Sequence, residues 1–214
     1  MNRRIALKKI GISLGTITLT PTIISMFQGC QTQIDWSPSF FSKDQIQFIS
    51  DMLDIVLPKT TDLPGAKELN VSRFIDTYAN LSMDEKTKFR VNNTLNSLIK
   101  NTLNQFSKSK VSKLTSENYK SQLNKFLFAE ENKTNEWNNL ANNYWLKSSK
   151  NEIISEPEEA LSYISTLSIR EWGVMGFRYS EFIGEKVLPY RPVPGEQKGC
   201  VDLQSTTEGL IWSI

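Results

Sequence analysis

Histidine is absent from all 214 residues. Its absence removes Ser-His-Asp and Cys-His catalysis, histidine-ligated zinc or haem iron, and the commonest general base. Cysteine is almost absent, with only Cys30 and Cys200, far apart in sequence. That leaves no cysteine set for an iron–sulfur cluster, and there is no CxxCH for covalent haem and no GxGxxG for a dinucleotide. Apolar runs of strand length with a period of two are missing, as are internal repeats. The polypeptide has no visible means of running redox chemistry alone.

Charge is present but segregated. The formal charge of +2 comes from 25 Lys and Arg against 23 Asp and Glu. Four of the basic residues (Arg3, Arg4, Lys8 and Lys9) and none of the acids lie in residues 1–29, so the remaining 185 carry 21 basic and 23 acidic groups, net −2. A near-neutral body without a basic tract gives no electrostatic basis for binding nucleic acid. Its length suffices for one domain with a sizeable core.

What is there begins with the leader. Four cations precede an apolar stretch from Ile10 to Phe27, diluted by Gly11, Gly15, Pro21 and four threonines. A charged region, an apolar region and a small residue before a cut mark an export signal. Arg3-Arg4 in Asn2-Arg3-Arg4-Ile5-Ala6-Leu7-Lys8 resembles the twin-arginine signal, with Ala6 where that motif usually has Phe. That pathway carries folded proteins, often with a cofactor or partner aboard. Phe27-Gln28-Gly29-Cys30 resembles a lipobox with Phe27 in place of the usual Leu, which makes Cys30 the lipidated N-terminus. An uncleaved anchor or a plain signal are the alternatives, since eighteen mostly apolar residues approach the length of a membrane span. The expected organisation is a signal peptide over 1–29, an irregular segment over 30–41 and a helical domain over 42–214. The expected location is the periplasm, lipid-anchored to a bacterial membrane.

In the body, Trp36-Ser-Pro-Ser-Phe-Phe41 reads as an irregular segment tucking aromatics onto the domain. Ser42-Lys-Asp-Gln45 reads as a capping box. Ile46, Ile49, Leu53, Val56 and Leu57 then predict a helix stopping at Pro58. Asp51 and Asp54 on it are either an acid–base pair or solvated acids. After a turn ending Leu63-Pro-Gly-Ala66, Val71, Phe74, Ile75 and Tyr78 predict a short helix. Ser82-Met-Asp-Glu85 reads as a second box opening a long helix, with Phe89, Leu95, Leu98, Ile99, Leu103 and Phe106 inward. Residues 107–114 read as a loop, and Tyr119, Leu123, Phe126 and Leu127 mark another helix. Asparagines dilute the helical signal between Glu130 and Asn143. Ser155-Glu-Pro-Glu158 reads as a third box, with the proline inside the first turn. The helix it opens carries Leu161, Ile164, Leu167, Trp172 and Met175, and meets Gly173 and Gly176, which either admit another backbone or break the helix. Trp172, Phe177, Tyr179 and Phe182 read as core. Residues 177–189 predict a turn into a short helix.

From Tyr190 the chain changes character. Tyr190-Arg191-Pro192-Val193-Pro194-Gly195, then Gly199-Cys200-Val201, is set by two prolines and two glycines and is expected to lie extended over a surface. The fold class is therefore all-α: one helical domain with an extended Pro/Gly-rich C-terminal arm, preceded by a signal peptide.

Several stretches together resemble the gluconate 2-dehydrogenase subunit 3 family, small subunits of membrane-bound, flavin-dependent sugar and sugar-acid dehydrogenases. They are the twin-arginine leader, Phe40-Phe41 with Asp54-Ile-Val-Leu-Pro58, Leu63-Pro-Gly-Ala66, Gly176-Phe-Arg-Tyr-Ser-Glu181, Tyr190 to Gly195, Gly199-Cys-Val201 and Gly209-Leu-Ile-Trp212. The likeness is sharp at the C-terminus and looser between about residues 80 and 155. It implies an all-helical, non-catalytic accessory subunit with no cofactor or metal of its own. FAD and catalysis are then expected on a large subunit of the glucose–methanol–choline type, and haem c on a possible cytochrome subunit. It also implies that this chain clasps the flavoprotein and supplies its export signal. The arm, Tyr190, Arg191, Pro192, Val193, Pro194, Gly195, Gly199 and Cys200, is the expected partner-binding segment, with covering of the chain's own core as the alternative reading. With Cys30 lipidated, Cys200 is left free, buried or bonded to a partner.

Two other classes fit the residues. One is a helical lipoprotein binding a glycan or peptide through Trp137, Tyr144 and Trp145, against core packing of the same aromatics. The other is a carboxylate enzyme using Glu171 with Glu181, which needs two acids facing across a cleft.

Overall fold

The computed structural model describes residues 36–150, 152–189 and 200–211. The chain divides into two units, Met1–Ser37 and Pro38–Ile214, and the helices below belong to the second. The leader, with Arg3, Arg4 and Cys30, lies outside the described residues, as do Tyr190 to Gly199 and Trp212.

Helix α1 spans Lys43–Val56. The box read at its start is present: Gln45 N donates to Ser42 Oγ (3.2 Å), and Ser42 N donates to Gln45 Oε1 (2.8 Å). Its inner face buries Phe48, Ile49, Met52 and Leu53 completely, each contributing about 1.5–3 kcal/mol of apolar transfer. Pro58 follows its C-cap, Leu57. In the turn beyond, Ala66 N donates back to Leu57 O (2.9 Å). Gly65 is needed there, because a Cβ would stand 2.6 Å from the Lys59 nitrogen.

Asn70, in the left-handed region at φ 53°, leads into α2, Val71–Ser82. Ser82 therefore ends a helix rather than starting one. The cap of α3, Glu85–Gln105, is Asp84, whose carboxylate accepts from Thr87 N (2.7 Å). A helical residue lacks the extended backbone that a capping hydroxyl requires. Within α3 the buried face is Thr94, Leu95, Ser97, Leu98 and Thr102. Ile99, Leu103 and Phe106 are half-buried, and Phe89, expected inward, is 63% exposed.

The 107–114 loop holds a 3-10 turn, Val111–Lys113, anchored by buried Val111. Helix α4, Ser116–Leu127, opens with a capping box of Thr115 and Asn118. Helix α5, Glu131–Ser148, forms despite its asparagines because Trp137 and Ala141 are buried. Helix α6, Glu158–Arg178, starts after Pro157, not at Ser155, and has no side-chain cap. It packs against each of α1 to α5. Small residues permit this: Ala160, Ser162, Ser165, Thr166, Gly173 and Gly176 are all buried. Ser162 and Thr166 satisfy their hydroxyls on carbonyls four residues back. Leu161 is fully buried, whereas Ile164, Leu167, Trp172 and Met175 are half-buried. Gly173 and Gly176 neither break the helix nor meet a backbone. They receive the Leu53 side chain and the Phe74 ring.

After α6 comes a π-helical turn, Phe182–Val187. A five-residue helix α7, Leu203–Thr207, which the sequence did not announce, lies beyond the proline-rich run. No strand occurs among the described residues. The all-α expectation holds.

Candidate functional site

Each sequence candidate can be placed on this frame. Asp51 and Asp54 lie on the outer face of α1, one turn apart. Lys67 Nζ stands 3.2 Å from Asp51 Oδ1 and 3.0 Å from Asp54 Oδ2. The Asp54 contact, more than any other, raises the Lys67 pKa above its ordinary value, with Asp51 adding to it against partial burial. The Tyr119 hydroxyl lies 3.4 Å from Asp51 Oδ2. Burial, then the Asp51 charge, pushes that phenol well above its usual range. Both shifts hold Lys67 as an ammonium and Tyr119 as a neutral phenol, the forms in which each can donate to the carboxylates beside it. The cluster ties α1 to α4 and to the loop before α2.

Glu171 and Glu181 are each exposed. Neither is among the residues of the depressions described here. Among the described residues no group of three or more Cys, Asp or Glu side chains could hold a metal.

The aromatic trio does not form one surface. Trp137 is 3% exposed, packed between Phe126 (5.4 Å between ring centres) and Tyr163 (5.1 Å). Core packing is its role. Tyr144 and Trp145 meet edge to face at 4.8 Å, and the Arg90 guanidinium lies over the Trp145 ring at 5.2 Å.

The end of α6 is more open than the sequence implied. Tyr179 and Phe182, read as core, are exposed, while Trp172 and Phe177 are half-buried. Tyr179 meets the Phe74 ring edge-on at 6.2 Å, and Phe74 stacks on Tyr78 at 6.0 Å. Gly176 sits against Phe74, so this aromatic cluster exists because the helix has no side chain there. Ser180 closes the turn by donating to Phe177 O (2.7 Å) and accepting from Gly184 N (2.8 Å). Nε of Arg178 is buried without a hydrogen-bond partner among the described residues. Of the arm, Cys200 is described: its thiol is free and exposed, so it is not an inert buried group. Tyr190, Arg191, Pro192, Val193, Pro194, Gly195 and Gly199 lie outside the described residues.

A model of the family described as gluconate 2-dehydrogenase subunit 3 matches residues 43–195. The chain belongs to the gluconate 2-dehydrogenase subunit 3 family. The match runs from the first residue of α1 through all six long helices and the π-helical turn into the Pro/Gly-rich run. It includes the turn built on Gly65 and the run from Gly176 to Glu181. The leader, Phe40-Phe41, Gly199 to Val201 and Gly209 to Trp212 fall outside it. No curated protein and no solved structure matches the chain. Gluconate 2-dehydrogenase subunit 3 is by its description one subunit of a dehydrogenase complex.

One structural residue escaped the sequence reading. Asp76 on α2 is fully buried, and its carboxylate accepts from the backbone N–H groups of Ser39, Phe40 and Phe41. The signal was available: an acid beside Ile75 on a helix whose other buried residues are Val71, Ile75 and Ala79.

Proposed function

We propose that this chain is the non-catalytic accessory subunit of an exported, membrane-associated, flavin-dependent dehydrogenase of a sugar or sugar acid. The observation that carries the reading is the family match over residues 43–195. A dinucleotide's pyrophosphate is ordinarily met by a glycine-rich turn between a strand and a helix. Here Gly173 and Gly176 are inside α6 and already filled by Leu53 and Phe74, so these residues do not fit a flavin. FAD belongs on a glucose–methanol–choline type large subunit, and haem c on a cytochrome subunit where one is present.

The docking elements are the arm from Tyr190 to Cys200 and the open aromatic edge at the end of α6. Tyr179 and Phe182 give that edge apolar area. The leader supplies the address: the flavoprotein, folded around its cofactor, leaves the cytoplasm attached to this chain, and Cys30 holds the pair at the membrane. Changing Arg3 and Arg4 together to Lys is expected to strand the flavoprotein in the cytoplasm. Unchanged export of the flavoprotein would remove the carrier role.

A further inference from the structure

The backbone at Phe40 is fixed in place, since its N–H and those of Ser39 and Phe41 all donate to the Asp76 carboxylate. Phe40 stands ten residues after Cys30, a stretch that reaches at most about 36 Å even when fully extended. Phe40 and Phe89 of α3 line one depression. Phe89, which is 63% exposed, also lines a second with Lys86, Arg90, Trp145, Ser148 and Ser149. The three rings Phe40, Phe89 and Trp145 therefore belong to one continuous outer face.

That second depression holds two cations and no acid. Lys86 and Arg90 are one turn apart on α3, and neither enters an ion pair among the described residues. Like charges at this spacing repel, and an anion set on both removes the repulsion. The acids at this end of α3 are engaged: Asp84 senses both cations but caps the helix on Thr87 N, and Glu85 pairs with Lys88. The Arg90 guanidinium lies over the Trp145 ring at 5.2 Å, which sets the plane of a group suited to phosphate. Lys147 and Lys150 flank the serine pair in sequence. Exposed rings beside unpaired cations match the headgroup layer of a bilayer, where rings sit at the acyl boundary and cations on lipid phosphates.

We propose that this face docks on a bilayer surface carrying anionic phospholipid, with Phe89 among the headgroups and Lys86 and Arg90 on their phosphates. The docking rests on the reading of Cys30 as the lipid-bearing residue, because a lipid there keeps Phe40 and the rings beside it within about 36 Å of the membrane. The full chain isolated from membranes is placed in vesicles of phosphatidylcholine, with or without phosphatidylglycerol, whose acyl chains are brominated. Phe89→Trp reports the depth of residue 89 through the quenching gained over wild type. Phe128→Trp is the comparison, at a position 81% exposed and outside both depressions. With phosphatidylglycerol the gain at residue 89 is expected to be roughly threefold that at residue 128. It should fall about twofold on phosphatidylcholine alone, and likewise when Lys86→Gln and Arg90→Gln are added. Lys86→Gln by itself leaves the Arg90–Trp145 stacking in place and should act in the same direction, with helical content unchanged.

The mass of the N-terminal peptide reports the lipid on Cys30 separately. Equal quenching at residues 89 and 128 in a lipidated chain would overturn the docking face and leave the anchor standing. Selective quenching at residue 89 in a chain without lipid would support the face and remove the anchor, and the absence of both would remove both. Quenching indifferent to lipid charge and to the cation variants would also overturn the proposal. So would shielding of residue 89 by a co-purified protein and not by lipid, which would assign the face to that partner.

Discussion

The Asp76 carboxylate accepts the backbone N–H of Phe41 at 2.9 Å, across 35 residues of sequence, with both residues buried. The same carboxylate takes Ser39 N at 2.7 Å and Phe40 N at 3.0 Å. Three successive amides, which no helix or strand would satisfy, are thereby paired. The pairing seats Phe41 in a narrow gap beside Ile49 of α1, Leu95 of α3 and Ile169 of α6. Asp76→Ala would leave three donors without their acceptor, at an expected loss of about 3–5 kcal/mol. Asp76→Asn keeps one oxygen and loses less. Urea unfolding measures both, and equal stability of wild type and Asp76→Ala would refute the anchoring role.

How much of this was legible depended on whether both partners of an interaction lay close in sequence. The Ser42–Gln45 box was readable because its two halves are three residues apart. The same pattern misled at Ser82, where α2 had not yet ended, and at Ser155, where Pro157 takes the cap position. Thr115 with Asn118 went unread because its third residue is not the expected Glu or Gln. Phe89 was read as inward, but at about 3.6 residues per turn it falls on the side of α3 opposite the buried Thr94, Leu95, Ser97, Leu98 and Thr102, and it lies exposed. Hydrophobicity alone had placed it; its phase would have placed it outside. Helix α5 shows the reverse, since Trp137 and Ala141 are buried and overrule poor local propensity. The family itself was legible, in short irregular motifs rather than in periodicity.

Close packing at α6 gives a second prediction. A Cβ at Gly173 would lie 2.3 Å from Leu53 Cδ2, and Leu53 is itself fully buried. Gly173→Ala is therefore expected to cost about 1–3 kcal/mol through overpacking, beyond any helix-propensity gain. Gly65→Ala meets backbone instead, and the turn has to open to accept it. Thermal melts of both variants check this; a stabilised Gly173→Ala would show the contact to be slack.

The pH dependence follows from two ion pairs. Lys125 lowers the pKa of Glu159 below its ordinary 4.5. That contribution is present above the unfolded value and is lost as pH falls through the lowered one. Asp54, ahead of Asp51, raises the Lys67 pKa above its ordinary 10.5. Its contribution is complete below the unfolded value and disappears as pH rises through the raised one. Stability should thus be level between these limits and fall gently outside them, since both pairs are partly exposed and screened. Lys125→Met should flatten the acid side alone, as followed by melting temperature against pH. An unchanged acid limb in Lys125→Met would contradict the assignment.

The arm and the aromatic edge are expected to act on association and not on the fold. Tyr179→Ala with Phe182→Ala removes exposed rings, so helical content should persist while affinity for the proposed flavoprotein partner falls at least tenfold. Pull-down with circular dichroism of the isolated chain separates the two effects. Undiminished capture would place docking elsewhere.

The most direct measurement is the subunit composition and absorption spectrum of the tagged chain purified from native membranes. The account predicts a larger partner carrying a flavin band that leaves with that partner when the two are separated. Recovery of this chain alone, or a flavin that stays with it after separation, would contradict the account.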